Sequence, residues 1–250
     1  MPRGILMHNP KVELREYLDN LIHRYLNIKS MNQQHKSILE WKTPTRIEAL
    51  NLGSHFFLLV AYSLERTVLV ELLMLLSQGE ERSLLDWLKK AREHAAAMKP
   101  TRYNPNYSGG EREPIKPKEY RALIDDQIAQ LDARKNITER IKARRDKAIA
   151  HLDKAYFDDP KALYRDYPLS DNDINDLMEV VSSILRKHHS CLFEADIVME
   201  VSSVHTVDTV LQYTRAFMRV RKDCDLIEKG FMPQLYMRDD YQGKSDKTVT

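Results

Sequence analysis

The stretch from Phe56 to Leu76, FFLLVAYSLERTVLVELLMLL, limits the folds open to this chain more than any other. It is long enough to span a bilayer, so it must be buried either in a membrane or at the centre of a protein. Glu65 and Arg66 sit at its middle, and Glu71 follows. Each central charge would cost about 2.5–3.5 kcal/mol at mid-membrane on insertion scales, which offsets much of the apolar gain. The segment is therefore read as the buried central helix of a soluble bundle, with no membrane partner. Composition agrees. The 250 residues carry 39 Lys+Arg against 37 Asp+Glu, a net charge of +2, with 42% hydrophobic and 30% charged residues, a globular profile. Average usage would supply roughly 17 glycines in such a length. Only 7 are present, which disfavours all-β folds and Gly-loop enzymes. Two cysteines, Cys191 and Cys224, are too few for a disulfide framework or a Cys-rich zinc site. The start Met1-Pro2-Arg3-Gly4 lacks the charged-then-apolar pattern of a secretory leader, so a cytoplasmic location is expected.

Helical periodicity recurs wherever Pro and Gly do not interrupt, and no alternating apolar–polar run is long enough for a strand. The expected fold is all-α, a bundle of five to six helices. A first helix runs from about Lys11 into the thirties, with Val12, Leu14, Leu18, Leu21, Ile22, Tyr25 and Leu26 as its apolar stripe. A second spans about Pro44 to Ser77 and supplies the core. A third covers Ser83 to Met98, with Ser83 as its cap. The segment 99–117, with its prolines and Gly109-Gly110, is a long loop, and loops of that length are commonly functional. A fourth helix extends from Lys118 to Lys154, with a bend expected at Asn136-Ile137-Thr138. A second loop fills 155–169. Ser170 and Asp173 then resemble a capping box opening a fifth helix, and a sixth spans about Ser203 to Ile227. The economical division is one helical domain over 1–230 and a frayed polar tail over 231–250.

The end of the fourth helix reads Lys142-Ala143-Arg144-Arg145-Asp146-Lys147-Ala148-Ile149-Ala150-His151-Leu152-Asp153-Lys154. Arg145-Asp146, with five residues before His151, resembles the motif of the HEPN superfamily. The string RDKAIAHLDK is still more similar to its AbiU2-type branch, associated with bacterial abortive-infection and toxin systems. The sharp likeness covers about a dozen residues; over about 44–195 it is architectural, an up-down bundle with the first helix and the C-terminal helices added. It implies an endoribonuclease that needs no metal and no cofactor, with RNA as substrate, two protomers forming one composite site, and an antitoxin protein as a further partner.

The residue types suit that chemistry. Attack of a ribose 2′-OH on its neighbouring phosphate needs a base, an acid and charge stabilisation. His titrates near neutrality and serves as either base or acid. A guanidinium stays protonated and matches phosphate geometry. With one motif His per chain, a homodimer supplies the second. The acting Arg is open between two readings. On an ideal helix Arg144 shares a face with His151, whereas Arg145 lies about 120° round; the family pattern favours Arg145, followed by Asp146, and Arg145 is the choice. Asp146 is expected to orient the Arg, Asp153 to hydrogen-bond or raise the pKa of His151, and Lys147 to support the site. Glu65 is expected either to face Arg145 or, more commonly for such a residue, to form a structural ion pair. The basic run that includes Arg140, Lys142 and Arg144 would attract RNA phosphates, and Arg102-Tyr103 and Asn106-Tyr107 offer aromatic faces for unpaired bases.

Blander readings stand beside these. The same arginines and His151 suit the solvated C-terminal end of a helix, and the chain is then a catalytically silent dimerisation module that binds RNA, nucleotide or a partner protein. A Tyr two residues after the motif His, found in another HEPN branch, is replaced here by Asp153, with Tyr156 three residues further on. Adjacent His188 and His189, near Cys191 and Glu194, diverge by about 100° on a helix and make a poor metal site. Gly109-Gly110 lacks the Lys and strand of a phosphate loop.

Overall fold

The computed structural model describes residues 9–40, 43–77, 82–102, 113–150, 154–201 and 206–228. It is all-α: among the described residues the β pairing consists of one isolated antiparallel bridge, Thr101 with Pro114. In chain order come α1 (Pro10–Leu39), α2 (Pro44–Leu52), α3 (Ser54–Leu76), α4 (Leu84–Glu93), α5 (Ala95–Met98), α6 (Pro117–Asp132) and α7 (Lys135–Arg144). A π-helical turn, Arg145–Ala150, follows directly, then α8 (Lys154–Asp158), α9 (Pro160–Asp166), α10 (Asp171–Phe193) and α11 (Val207–Glu228). The chain divides into two compact units, one of Met1–Lys36 and Leu59–Ser203, the other of Ser37–Leu58 and Val204–Thr250.

The first unit holds the large core. Leu18 and Ile28 of α1, Leu72 and Leu75 of α3, Leu84, Trp87 and Leu88 of α4, Tyr120 and Ile124 of α6, Ile141 of α7 and Leu185 of α10 are fully shielded. Each large apolar side chain so buried contributes about 1.5–3 kcal/mol relative to exposure. Three aromatic side chains carried inward find partners for their polar atoms, as burial demands: Trp87 Nε1 donates to the Leu14 carbonyl at 2.8 Å, Tyr17 Oη to the Ser83 carbonyl at 2.8 Å, and Tyr25 Oη to the Met178 carbonyl at 3.1 Å. Burial on α3 is heaviest in its C-terminal half. Leu59 and Tyr62 stand exposed, although Phe57 and Ala61 are buried, so the apolar run is continuously buried on one face only from Val68 onward. Among the described residues no helix is long and apolar enough to cross a membrane.

The second unit packs α2 on α11. Thr43 caps α2 by accepting from Arg46 N at 3.3 Å, with Pro44 in the first turn. Arg46 pairs with Asp208 at the start of α11 and donates to the Glu40 carbonyl at 2.8 Å.

Several boundaries depart from the sequence expectation. The helix expected over 44–77 breaks at Gly53, whose N–H turns back to the Leu50 carbonyl at 3.2 Å; glycine has the weakest helix propensity after proline. The fourth helix breaks at Ala133-Arg134, ahead of the expected bend, because Arg134 leaves helical geometry (φ −105°, ψ 11°). Its guanidinium is clamped to Asp176 of α10 by two 2.8 Å bonds. The loop expected over 155–169 contains α8 and α9. Asp159 caps α9, accepting from Lys161 N at 3.1 Å, and Pro160 occupies the first turn, a helix start that reads superficially as a turn. Both predicted caps form: Ser83 Oγ accepts from Asp86 N at 3.2 Å, and Ser170 with Asp173 makes a reciprocal capping box. The tail over 231–250 and most of the loop over 99–117 lie outside the described residues. The two ends of that loop are joined by the Thr101–Pro114 bridge, with Arg102 N donating to the Glu113 carbonyl at 2.9 Å.

Candidate active site around the arginine motif

Helix α7 buries Ile137, Ile141 and Arg144 at helical spacing. The spacing that would put a third aliphatic residue in the core puts a guanidinium there instead, and the surroundings compensate for it. Arg144 is 7% exposed. Its Nε donates to the Tyr167 carbonyl at 2.8 Å, its Nη1 lies 3.8 Å from Glu65 Oε1, and its guanidinium sits 4.7 Å from the ring centre of Tyr164. Desolvation lowers its pKa from the ordinary value, and the Glu65 carboxylate opposes that shift. Burial raises the Tyr164 phenol, as do the neighbouring Glu65 and Tyr62. Arg144 thus ties α7 to the middle of α3 and to the α9–α10 connection. Glu65 takes the structural ion-pair role; its partner is Arg144, not Arg145.

Arg145, one residue later, lies in a different environment. Its side chain is 29% exposed, and its ion-pair partner is the adjacent Asp146, with Nε at 2.7 Å and Nη2 at 2.6 Å from Asp146 Oδ1. Asp146 is the residue expected to orient the motif Arg. Arg145 lines a cleft of about 360 Å³ with a leucine floor from Leu73, Leu76, Leu85, Leu131 and Leu177 and a polar rim that includes Asp132, Thr138 and Lys142. A partly exposed guanidinium therefore stands at the edge of a cleft with both apolar and polar walls.

At Arg145 the backbone changes from α to π. π turns inside helices are rare and recur at functional sites. The change also voids the face calculation made on an ideal helix, in which Arg144 and His151 line up. Lys147, within the turn, lies 5.1 Å from the ring centre of Tyr156 and 5.8 Å from that of Tyr167. Tyr156 donates to Asp166 Oδ2 at 3.1 Å, and desolvation together with this carboxylate pushes its pKa up to about 12. Tyr164 and Tyr167 were missed in the sequence because they lie in what reads as a loop; the Asp159-Pro160 helix start is the signal that would have found them.

His151 and Asp153 lie outside the described residues, as does the Tyr103–Tyr107 part of the loop. Of the basic run, Arg140 donates to the Pro168 carbonyl at 2.6 Å and to Asp173 Oδ1 at 3.1 Å, so it braces the start of α10. Lys142 is exposed and pairs with no acid among the described residues. Arg102 pairs with Glu119 and Glu113. His188, weighed above as a poor metal ligand, is wholly buried, with Nδ1 2.8 Å from Tyr120 Oη and Nε2 2.6 Å from Gln127 Oε1. His189 stacks on Phe193. Among the described residues no three His, Cys, Asp or Glu side chains group as metal ligands.

No curated protein and no solved structure matches the chain. A family model, HEPN_AbiU2, described as AbiU2, matches residues 11–219. That span begins in the first turn of α1, ends inside α11 and takes in the whole arginine motif. The chain belongs to the AbiU2 family of abortive-infection-associated HEPN domains.

Proposed function

We propose that the chain is a metal-independent endoribonuclease of an abortive-infection or toxin–antitoxin system, acting as a homodimer on RNA through Arg145 and His151, with an antitoxin protein as a further partner. The observation that carries the reading is the contrast between neighbouring arginines: Arg144 is buried and tied to Tyr167, Tyr164 and Glu65, whereas Arg145 is partly exposed at a cleft, held only by Asp146 among the described residues. In the reaction the ribose 2′-oxygen bonds to phosphorus as the bond from phosphorus to the 5′-oxygen breaks. One His151 takes the 2′-OH proton and the His151 of a second copy gives a proton to the leaving 5′-oxygen. Arg145 stabilises the charge developing on the phosphate oxygens. The products are a 2′,3′-cyclic phosphate and a 5′-hydroxyl. Lys147 and Lys142 add positive charge beside the motif.

The pairing of Arg134 and Arg140 with Asp176 and Asp173 favours a second reading, because it neutralises much of the basic run. On that reading the chain is a catalytically silent dimer that binds RNA, nucleotide or a partner protein. Incubation of the purified chain with unstructured RNA in excess EDTA separates the two. The nuclease reading expects cleavage that is lost in His151→Ala and Arg145→Ala. No cleavage by the wild type, or cleavage unchanged in His151→Ala, refutes it.

A further inference from the structure

We propose that the cleft beside Arg145 is a base-recognition subsite for guanine, taken from a nucleotide flanking the phosphate to be cut. The inference rests on the ribonuclease reading and adds what selects the cleavage site. At about 360 Å³ the cleft is at the small end of ligand sites. It has room for a base with its ribose and none for a duplex or a helix. Its floor is aliphatic, with Leu73, Leu131 and Leu177 buried beneath it, a surface that receives the flat face of a heteroaromatic ring. Single-stranded RNA can splay a base into such a site, whereas paired RNA cannot.

The rim supplies the edge contacts. Lys135, Thr138, Glu139 and Lys142 recur along one side of α7 and all line the cleft. Lys135 and Glu139 lie 3.9 Å apart as an exposed pair that offsets each other's charge, and Lys142, which pairs with no acid among the described residues, stands next to Arg145 as a second cation for the phosphodiester. Asp132, at the end of α6, lines the same cleft and pairs with no cation among the described residues. A carboxylate only accepts. Guanine alone among the four bases offers two adjacent donors, N1–H and N2–H, on its Watson–Crick edge, matching the two carboxylate oxygens. Adenine and cytosine set a ring-nitrogen lone pair beside their amine, and uracil flanks its one donor with carbonyls, so each brings an acceptor against Asp132.

The test maps cleavage sites on an unstructured RNA containing all sixteen dinucleotide steps, using the full chain. Wild type is expected to cut steps containing guanine at least about tenfold faster than the corresponding uracil steps, within the range that a bidentate base contact discriminates. Asp132→Asn is expected to abolish that preference. Thr138→Trp, which fills the cleft from its rim, is expected to slow cleavage at guanine steps most; unchanged melting temperatures show that both variants fold. Cleavage without base preference, or a guanine preference that survives both substitutions, overturns the subsite and leaves the nuclease reading standing. If wild type cleaves nothing, the nuclease reading falls. Calorimetric titration with guanosine and uridine monophosphates then decides the subsite alone: guanosine selectivity lost in Asp132→Asn supports it, and equal or absent binding refutes it.

Discussion

Replacing either motif arginine by methionine separates a structural role from a catalytic one. Met keeps much of the aliphatic volume of Arg, so the difference between the variants reports the guanidinium. For Arg144→Met three interactions disappear: the charged hydrogen bond to the Tyr167 carbonyl at 2.8 Å, the stacking on Tyr164, and the 3.8 Å ion pair with Glu65. Hydrogen bonds to charged groups contribute about 1.5–3 kcal/mol, and a cation over an aromatic face about 0.5–2 kcal/mol. The ion pair is long and Glu65 is one-third exposed, so it contributes at most about 1 kcal/mol. Methionine avoids the desolvation cost of a buried guanidinium, which reduces the net loss to about 2–3 kcal/mol. In a chain of this size that lowers the melting temperature by about 4–12 °C. For Arg145→Met the lost partner is the neighbouring Asp146 in a partly exposed pair, and the expected change is within about 1 kcal/mol. Urea unfolding and thermal scans followed by circular dichroism measure both. The reasoning fails if Arg144→Met is as stable as wild type, or if Arg145→Met is destabilised equally. Activity should invert the order, with Arg145→Met inactive while folded.

Two further perturbations probe the scaffold. His188 is buried as the neutral ring, and desolvation depresses its pKa to about 3, against 6.5 for the unperturbed group. The unfolded chain therefore binds a proton that the native state refuses, so this stability is fully present above about pH 6.5 and is lost as pH falls toward 3. At pH 5 the loss is about 2 kcal/mol. His188→Gln should flatten stability against pH between 5 and 7 in urea titrations, and an unchanged slope would show that another group titrates. Ser170→Ala removes half of the capping box of α10 and should cost about 1 kcal/mol in the same assay; no change would mean that the packing of α10 alone fixes its start.

Much of the fold was legible because its signals are local. The apolar stripe of α1, the Ser83 cap and the Ser170–Asp173 box are short-range patterns, and each sits where the sequence puts it except Val12, which faces solvent at the start of the stripe. The helix breaks were harder. At Arg134 the break is held by Asp176 on α10, a tertiary clamp with no local mark, and Gly53 alone does not say whether a helix bends or stops. The candidate site was legible as a string and illegible as geometry. Arg144 and Arg145 are chemically identical, and the choice between them turns on Tyr164, Tyr167 and Glu65, which reach Arg144 from distant segments. A face count on an ideal helix favours the buried one, since it has no means to anticipate a π turn.

That turn has a consequence for how the motif tolerates change in length. A π turn holds one residue more than the α-helical turn it interrupts, so the six residues from Arg145 to Ala150 carry a surplus. Removing one of them allows the stretch to close as ordinary α-helix without turning its flanks, leaving α7 and its Arg144 anchor in place. The same deletion inside α7 would instead displace Ile141 or Arg144 from the core. The arginine motif is therefore written across a stretch whose length can change by one residue without dismantling the bundle beneath it.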